Sequence, residues 1–207
     1  MYRRLVALWV PGLPILSGIA VAIALMSSQP LVRAANSPVT IGGPFTLISP
    51  DGTTVTEQAY LGKWLLVYFG FTSCPDTCPT ALLEIAAALE KLGPDADKLQ
   101  PLFITVDPLR DTPAVMVNYA QSFDPRIIGL TGTPQQIAAV AQEYGVYYAP
   151  RKIGPGPEDY VMDHGTYLYL MDPEGRFVRG FGADTPGDRI AEAVRSAKAK
   201  TRENASH

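Results

Sequence analysis

From Trp64 to Phe71 the chain runs without a charged or strongly polar break, the mark of a strand buried on both faces, and this run is expected at the centre of a sheet. Ahead of it, Pro44 to Ile48 and Thr53 to Thr56 flank Asp51-Gly52 and predict a small hairpin around a turn. After Pro79, Leu82, Ile85, Leu89 and Leu92 recur at helical spacing until Gly93-Pro94, which predicts one amphipathic helix with a defined stop. Leu102 to Val106 reads as a second buried strand and Ile127 to Leu130 as a short third. Thr112-Pro113 and Thr133-Pro134 each place an N-cap residue before a proline at the first helical position, and Gln136 can close a capping box with Thr133. Tyr167 to Met171 and Arg176 to Phe181 flank Asp172-Pro173-Glu174-Gly175 as a last hairpin, and Ile190 to Lys200 forms a closing amphipathic helix. No internal repeat is visible.

Two parallel crossovers followed by an antiparallel edge define an α/β fold, a thioredoxin-like mixed sheet flanked by helices, with an N-terminal hairpin. Residues 145 to 163, with Gly154-Pro155-Gly156-Pro157, are expected as a loop-rich insertion before the last hairpin, either functional or an inert connector.

Composition narrows the function classes. At 207 residues, 47% hydrophobic and 18% charged, the chain is apolar enough for one packed domain plus an appendage. Three of its seventeen basic residues, Arg3, Arg4 and Arg33, precede residue 36, so the body sets fourteen bases against twenty acids, a net charge of about −6. Such a body has no basic stripe for phosphates, which argues against a nucleic-acid partner. Two cysteines and two histidines exclude a zinc-finger array or a disulfide-dense miniprotein.

The appendage is residues 1–35. Arg3-Arg4 precede an uncharged, mostly apolar stretch from Leu5 to Met26, long enough to cross a bilayer if helical, since ~20 residues suffice. Pro11 and Pro14 interrupt it, and Val32-Arg33-Ala34-Ala35 resembles a cleavage site, so a membrane anchor and a cleaved signal peptide both stand. Either one places the body, residues 36–207, outside the cytoplasm, which for a bacterial chain means the periplasm, where two cysteines can become a disulfide.

The chemistry concentrates between Phe69 and Pro79, where Cys74 and Cys78 lie between the carboxyl end of the expected central strand and the start of the next helix. Open sheets place ligand crevices there, and the unpaired N–H groups of a helix start favour a thiolate over a thiol. Four residues of separation rise ~6 Å in a helix, which suits one shared metal or, with loop adjustment, a disulfide between Cys74 and Cys78. Chain ends fray, so His164 rather than His207 is the histidine expected to be fixed. A thioredoxin-like layout brings its turn against the cysteine loop. Two soft thiolates and an imidazole suit copper, and zinc with a water ligand is chemically permitted too. Asp107, at the end of the second strand, is a candidate to orient a ligand or the cysteine loop, with Arg110 pairing Asp107 or Asp111. Asp163 is a candidate either to hold His164 in one tautomer or to cap a turn.

Three blocks together resemble the Sco/SenC family, named for synthesis of cytochrome c oxidase: Phe69 to Pro79 with its C-x-x-x-C, Val106-Asp107-Pro108-Leu109-Arg110-Asp111-Thr112-Pro113, and Asp163-His164 followed by Tyr167 to Gly175. The resemblance covers nearly the whole chain. It implies Cys74, Cys78 and His164 as copper ligands, for Cu(I), Cu(II) or both, and a body that is a thioredoxin-like copper-binding domain. It also implies delivery of copper to the dinuclear site of cytochrome c oxidase subunit II, with a periplasmic copper donor or thiol reductant upstream. Gly165 departs from the Ser or Thr that often follows the family's histidine. The competing function is a thiol-disulfide oxidoreductase in which Cys74 and Cys78 are a redox pair that keeps the oxidase copper-site cysteines reduced. Three residues between the cysteines, the histidine opposite, and no proline directly before the Thr166 to Met171 strand lean toward copper. A peroxidase is a weaker third reading, because Thr72-x-Cys74 lacks the upstream proline expected of that chemistry.

Overall fold

The protein is described by a computed structural model over residues 40–205, so the N-terminal segment, residues 1–35, and His207 lie outside the described residues. In chain order the elements are β1 (Thr46–Ile48), β2 (Thr54–Thr56), β3 (Trp64–Gly70), α1 (Thr77–Leu92), β4 (Leu99–Thr105), α2 (Pro113–Gln121), β5 (Ile128–Leu130), α3 (Pro134–Glu143), β6 (Tyr148–Lys152), β7 (Tyr160–His164), β8 (Tyr167–Met171), β9 (Phe177–Gly182) and α4 (Gly187–Ala205). Short 3-10 turns occupy Glu57–Tyr60 and Gly93–Lys98.

The main sheet has the order β5-β4-β3-β8-β9. Strand β3 is its middle strand, parallel to β4 and antiparallel to β8, and all seven of its residues are buried. That is the expected consequence of an apolar run with no polar alternation. The β1–β2 hairpin forms its own two-stranded sheet and reaches the end of β5 through a bridge between Ile48 and Thr131.

Helix α1 carries its apolar stripe as the spacing predicts. Leu82, Ile85, Leu89 and Leu92 are all buried, each contributing about 2 kcal/mol of apolar burial. Gly93 ends the helix at φ +56°, a conformation that a side chain disfavours. The proline starts hold as well: Thr112 caps α2 through an acceptor contact from the Val115 amide, and Thr133 and Gln136 form a reciprocal capping box on α3. Glu84 Oε2 accepts the Gly187 amide at 2.6 Å, which ties the start of α4 to the middle of α1.

One expectation changes. The segment before the last hairpin is not loop throughout, because Tyr148 to Lys152 pairs antiparallel with Tyr160 to His164, leaving the Gly-Pro sequence at the tip. Its residues alternate poorly, and Pro150 sits within β6, which a two-stranded ribbon tolerates because half of its backbone groups have no ladder partner. No helix among the described residues is long and apolar enough to cross a membrane.

Candidate metal centre

The two cysteines occupy different chemical settings because they straddle the start of α1. Cys74 is half-buried on the approach loop, whereas Cys78 is the second residue of the helix and fully buried under β3. Asp76, at the N-cap, makes no side-chain cap. The Cys74 sulfur takes that place instead, accepting the Cys78 amide hydrogen at 3.5 Å. A helix start stabilises negative charge, and the hydrogen bond from the Cys78 side chain holds the Cys74 thiol well below its ordinary range. The same contact, together with burial, pushes the Cys78 thiol up. These opposite shifts favour the thiolate at Cys74 and the thiol at Cys78, and both cysteines are free in this structure.

His164 ends β7 opposite this pair, 86 residues beyond Cys78. Its Nδ1 lies 2.8 Å from the carbonyl oxygen of Gly165, and because a carbonyl can only accept, Nδ1 carries the proton. Nε2 then presents its lone pair toward the Cys78 sulfur, 3.6 Å away. The imidazole is flanked edge-to-face by Phe71 and Tyr68, so its orientation is set by packing as well as by the Gly165 bond. One donor atom each from Cys74, Cys78 and His164 lies within 4.8 Å of the others. A cavity of about 340 Å³, bordered by Phe71, Cys74, Pro75, Arg151, Met162 and His164, opens the site to solvent.

Neither expected supporting carboxylate touches these three residues. Asp163 is exposed, and its two oxygens hold Arg151 Nε at 3.0 and 2.9 Å; the Gly165 carbonyl, not Asp163, fixes the histidine tautomer. The reason is strand alternation, which sends neighbouring residues of β7 to opposite faces. Asp107 is buried and accepts from Arg110 Nε and from the Tyr160 hydroxyl at 2.8 Å. Arg110 in turn donates to the Tyr160 carbonyl at 3.0 Å and stacks on its ring at 3.8 Å. Asp107 thus orients no ligand directly. Together with Arg110 it clamps the start of the strand that ends in His164.

The carboxylate that does bear on the cysteine loop is Asp111, which the sequence offered only as a partner for Arg110. It is fully buried, with Thr72 and Thr105 donating to it. The signal that could have found it is the pair of threonines, Thr72 and Thr105, which flank the carboxyl ends of two adjacent parallel strands.

The SCO1/SenC family model matches residues 33–199 of the chain. The mitochondrial protein SCO1 homolog 1 of Arabidopsis thaliana is 45% identical over 155 residues, which are 74% of this chain and 46% of that protein. Protein SenC of Rhodobacter capsulatus is 44% identical over 154 residues, 74% of this chain and 69% of that one. The solved structure of Bradyrhizobium japonicum ScoI with copper bound is 47% identical, covers 75% of this chain and 98% of its own, and superposes with a TM-score of 0.68. The chain spans about half the length of the first of these curated relatives.

Proposed function

The chain belongs to the SCO1/SenC family, and from that premise we propose that it is a copper metallochaperone of cytochrome c oxidase assembly. Copper is its cargo: Cys74, Cys78 and His164 hold one ion, and the body surrenders it by ligand exchange to the dinuclear copper site of oxidase subunit II. The observation that carries this reading is the convergence of two sulfurs and one imidazole nitrogen within 4.8 Å. Soft sulfur donors suit Cu(I), imidazole suits Cu(II), and three protein donors leave a position through which a recipient's ligand can enter. The solvent opening at the site gives that ligand its path.

Residues 1–35 anchor the chain in the inner membrane or direct its export, and the body works in the periplasm, where a copper donor or a thiol reductant serves it. Arg3 and Arg4 ahead of the uncharged stretch Leu5 to Met26 support that orientation.

A second reading rests on the asymmetry of the pair. A half-buried cysteine that favours the thiolate beside a buried one that favours the thiol also suits an attacking and a resolving thiol in a disulfide reductant. The histidine separates the two, because copper binding uses its imidazole as a ligand whereas disulfide exchange makes and breaks no bond to it. In cells lacking the native protein, His164→Ala should fail to restore copper loading of the oxidase about as badly as Cys74→Ser, with folding and export of both variants verified. Full rescue by His164→Ala and none by either cysteine variant would replace the chaperone with the reductase.

A further inference from the structure

Strand β3 presents Tyr68 and Gly70 on one face, and both bear on the sulfur of Cys78. The Tyr68 hydroxyl donates to that sulfur at 3.7 Å. Among the described residues this hydroxyl makes no other hydrogen bond, and the side chain that carries it is fully buried. The ring stacks on Phe103 with centroids 6.0 Å apart and meets His164 edge-on at 6.4 Å, so the phenol has no freedom to turn toward water. Gly70, two residues on, leaves the space the sulfur occupies: a Cβ there would stand 2.8 Å from Cys78 Sγ and 3.2 Å from the Tyr68 ring. A phenylalanine fills the neighbouring position 69 on the opposite face, whereas position 68 carries a hydroxyl in a place where an unmade hydrogen bond is costly.

We propose that Tyr68 is a positioning residue of the copper site, whose hydroxyl hydrogen-bonds to the Cys78 sulfur and thereby sets how strongly that sulfur, once it loses its proton to ligate the metal, favours Cu(I) over Cu(II). The inference rests on the copper reading above. A donor on a thiolate draws electron density from the sulfur, so less is shared with the metal. Cu(II), the electron-poorer ion, loses more by this than Cu(I) does. Gly70 keeps the sulfur within reach of that donor.

Tyr68→Phe removes the hydroxyl and keeps the ring. In the reduced body, titrated anaerobically with Cu(I) and separately with Cu(II), the variant should still bind one copper. Its preference for Cu(I) over Cu(II) should fall on the order of tenfold, the size expected for one hydrogen bond to a charged acceptor, and its sulfur-to-Cu(II) charge-transfer band should move to lower energy. Tyr119→Phe, a change in the same aromatic cluster without a bond to either sulfur, serves as the control and should move neither. Melting curves of both variants check that packing is retained. A band and a Cu(I)/Cu(II) preference unchanged in Tyr68→Phe overturn this inference while leaving the copper site standing. A native protein that takes up no copper overturns the copper reading, and this inference with it.

Discussion

The carboxylate of Asp111 accepts both hydrogens that Thr72 can give, the amide at 3.1 Å and the hydroxyl at 2.6 Å, across 39 residues of sequence. Its second oxygen also takes the Thr105 hydroxyl at 2.6 Å, and its own carbonyl accepts from Thr131 at 2.7 Å. One buried side chain therefore ties the cysteine loop to β4, and its backbone ties both to the end of β5.

Asp111→Ala leaves an amide and two hydroxyls without their acceptor, at a cost of about 3 kcal/mol. Urea unfolding should show a lower midpoint with an unchanged slope. Because Thr72 stands two residues before Cys74, copper affinity of the folded variant should fall about tenfold or more. Native affinity and a native midpoint would show that the loop is held by other contacts.

Burial pushes the Asp111 carboxyl up, against the threonine hydrogen bonds that favour its ionised form. A raised native value means that the folded protein keeps a proton which the unfolded chain releases from about pH 3.9 upward. Its contribution is fully present below that pH and is lost as the pH rises through the native value. The stability of the native protein relative to Asp111→Asn, which does not titrate, should fall as the pH is raised from 4 toward 7. A difference that stays flat or grows would reverse the sign assigned to this group.

Loss of the imidazole should be felt unequally by the two oxidation states. With His164→Ala, Cu(II) affinity should drop and the charge-transfer absorption should change, while the two sulfurs retain much of the Cu(I) affinity. Anaerobic titration of the reduced body with each ion, read by absorbance and metal stoichiometry, measures both. An identical Cu(II) spectrum and affinity in the variant would remove His164 from the ligand set.

Oxidised glutathione should convert the site into a closed form. The two thiols give up two electrons and two protons, the Cys74–Cys78 disulfide forms, and two molecules of reduced glutathione are released. Disulfide sulfurs have lost the thiolate charge that copper needs, so the oxidised body should bind copper far more weakly, and a dithiol reductant should restore binding. Mass spectrometry finding no internal disulfide, or full copper binding after oxidation, would exclude such a switch.

Much of this architecture is written locally. An unbroken apolar run makes β3 the buried centre, a threonine-proline pair starts each of α2 and α3, and glycine at position 93 stops α1, because each depends on residues within a few positions of one another. The cysteine spacing at a strand-to-helix junction was legible for the same reason, and the layout of elements was enough to expect His164 at the same crevice. Tertiary structure decided what faces what. It turned the stretch before the last hairpin into the β6–β7 ribbon, sent Asp163 to Arg151 and away from His164, gave the cysteine loop to Asp111 rather than Asp107, and aimed the Tyr68 hydroxyl at Cys78. These pairings join residues far apart in sequence or on adjoining elements. Along β3 and β7 a single step of strand register reverses the facing of Tyr68 and Asp163, because each residue along a strand changes faces, and only the packed sheet selects that register.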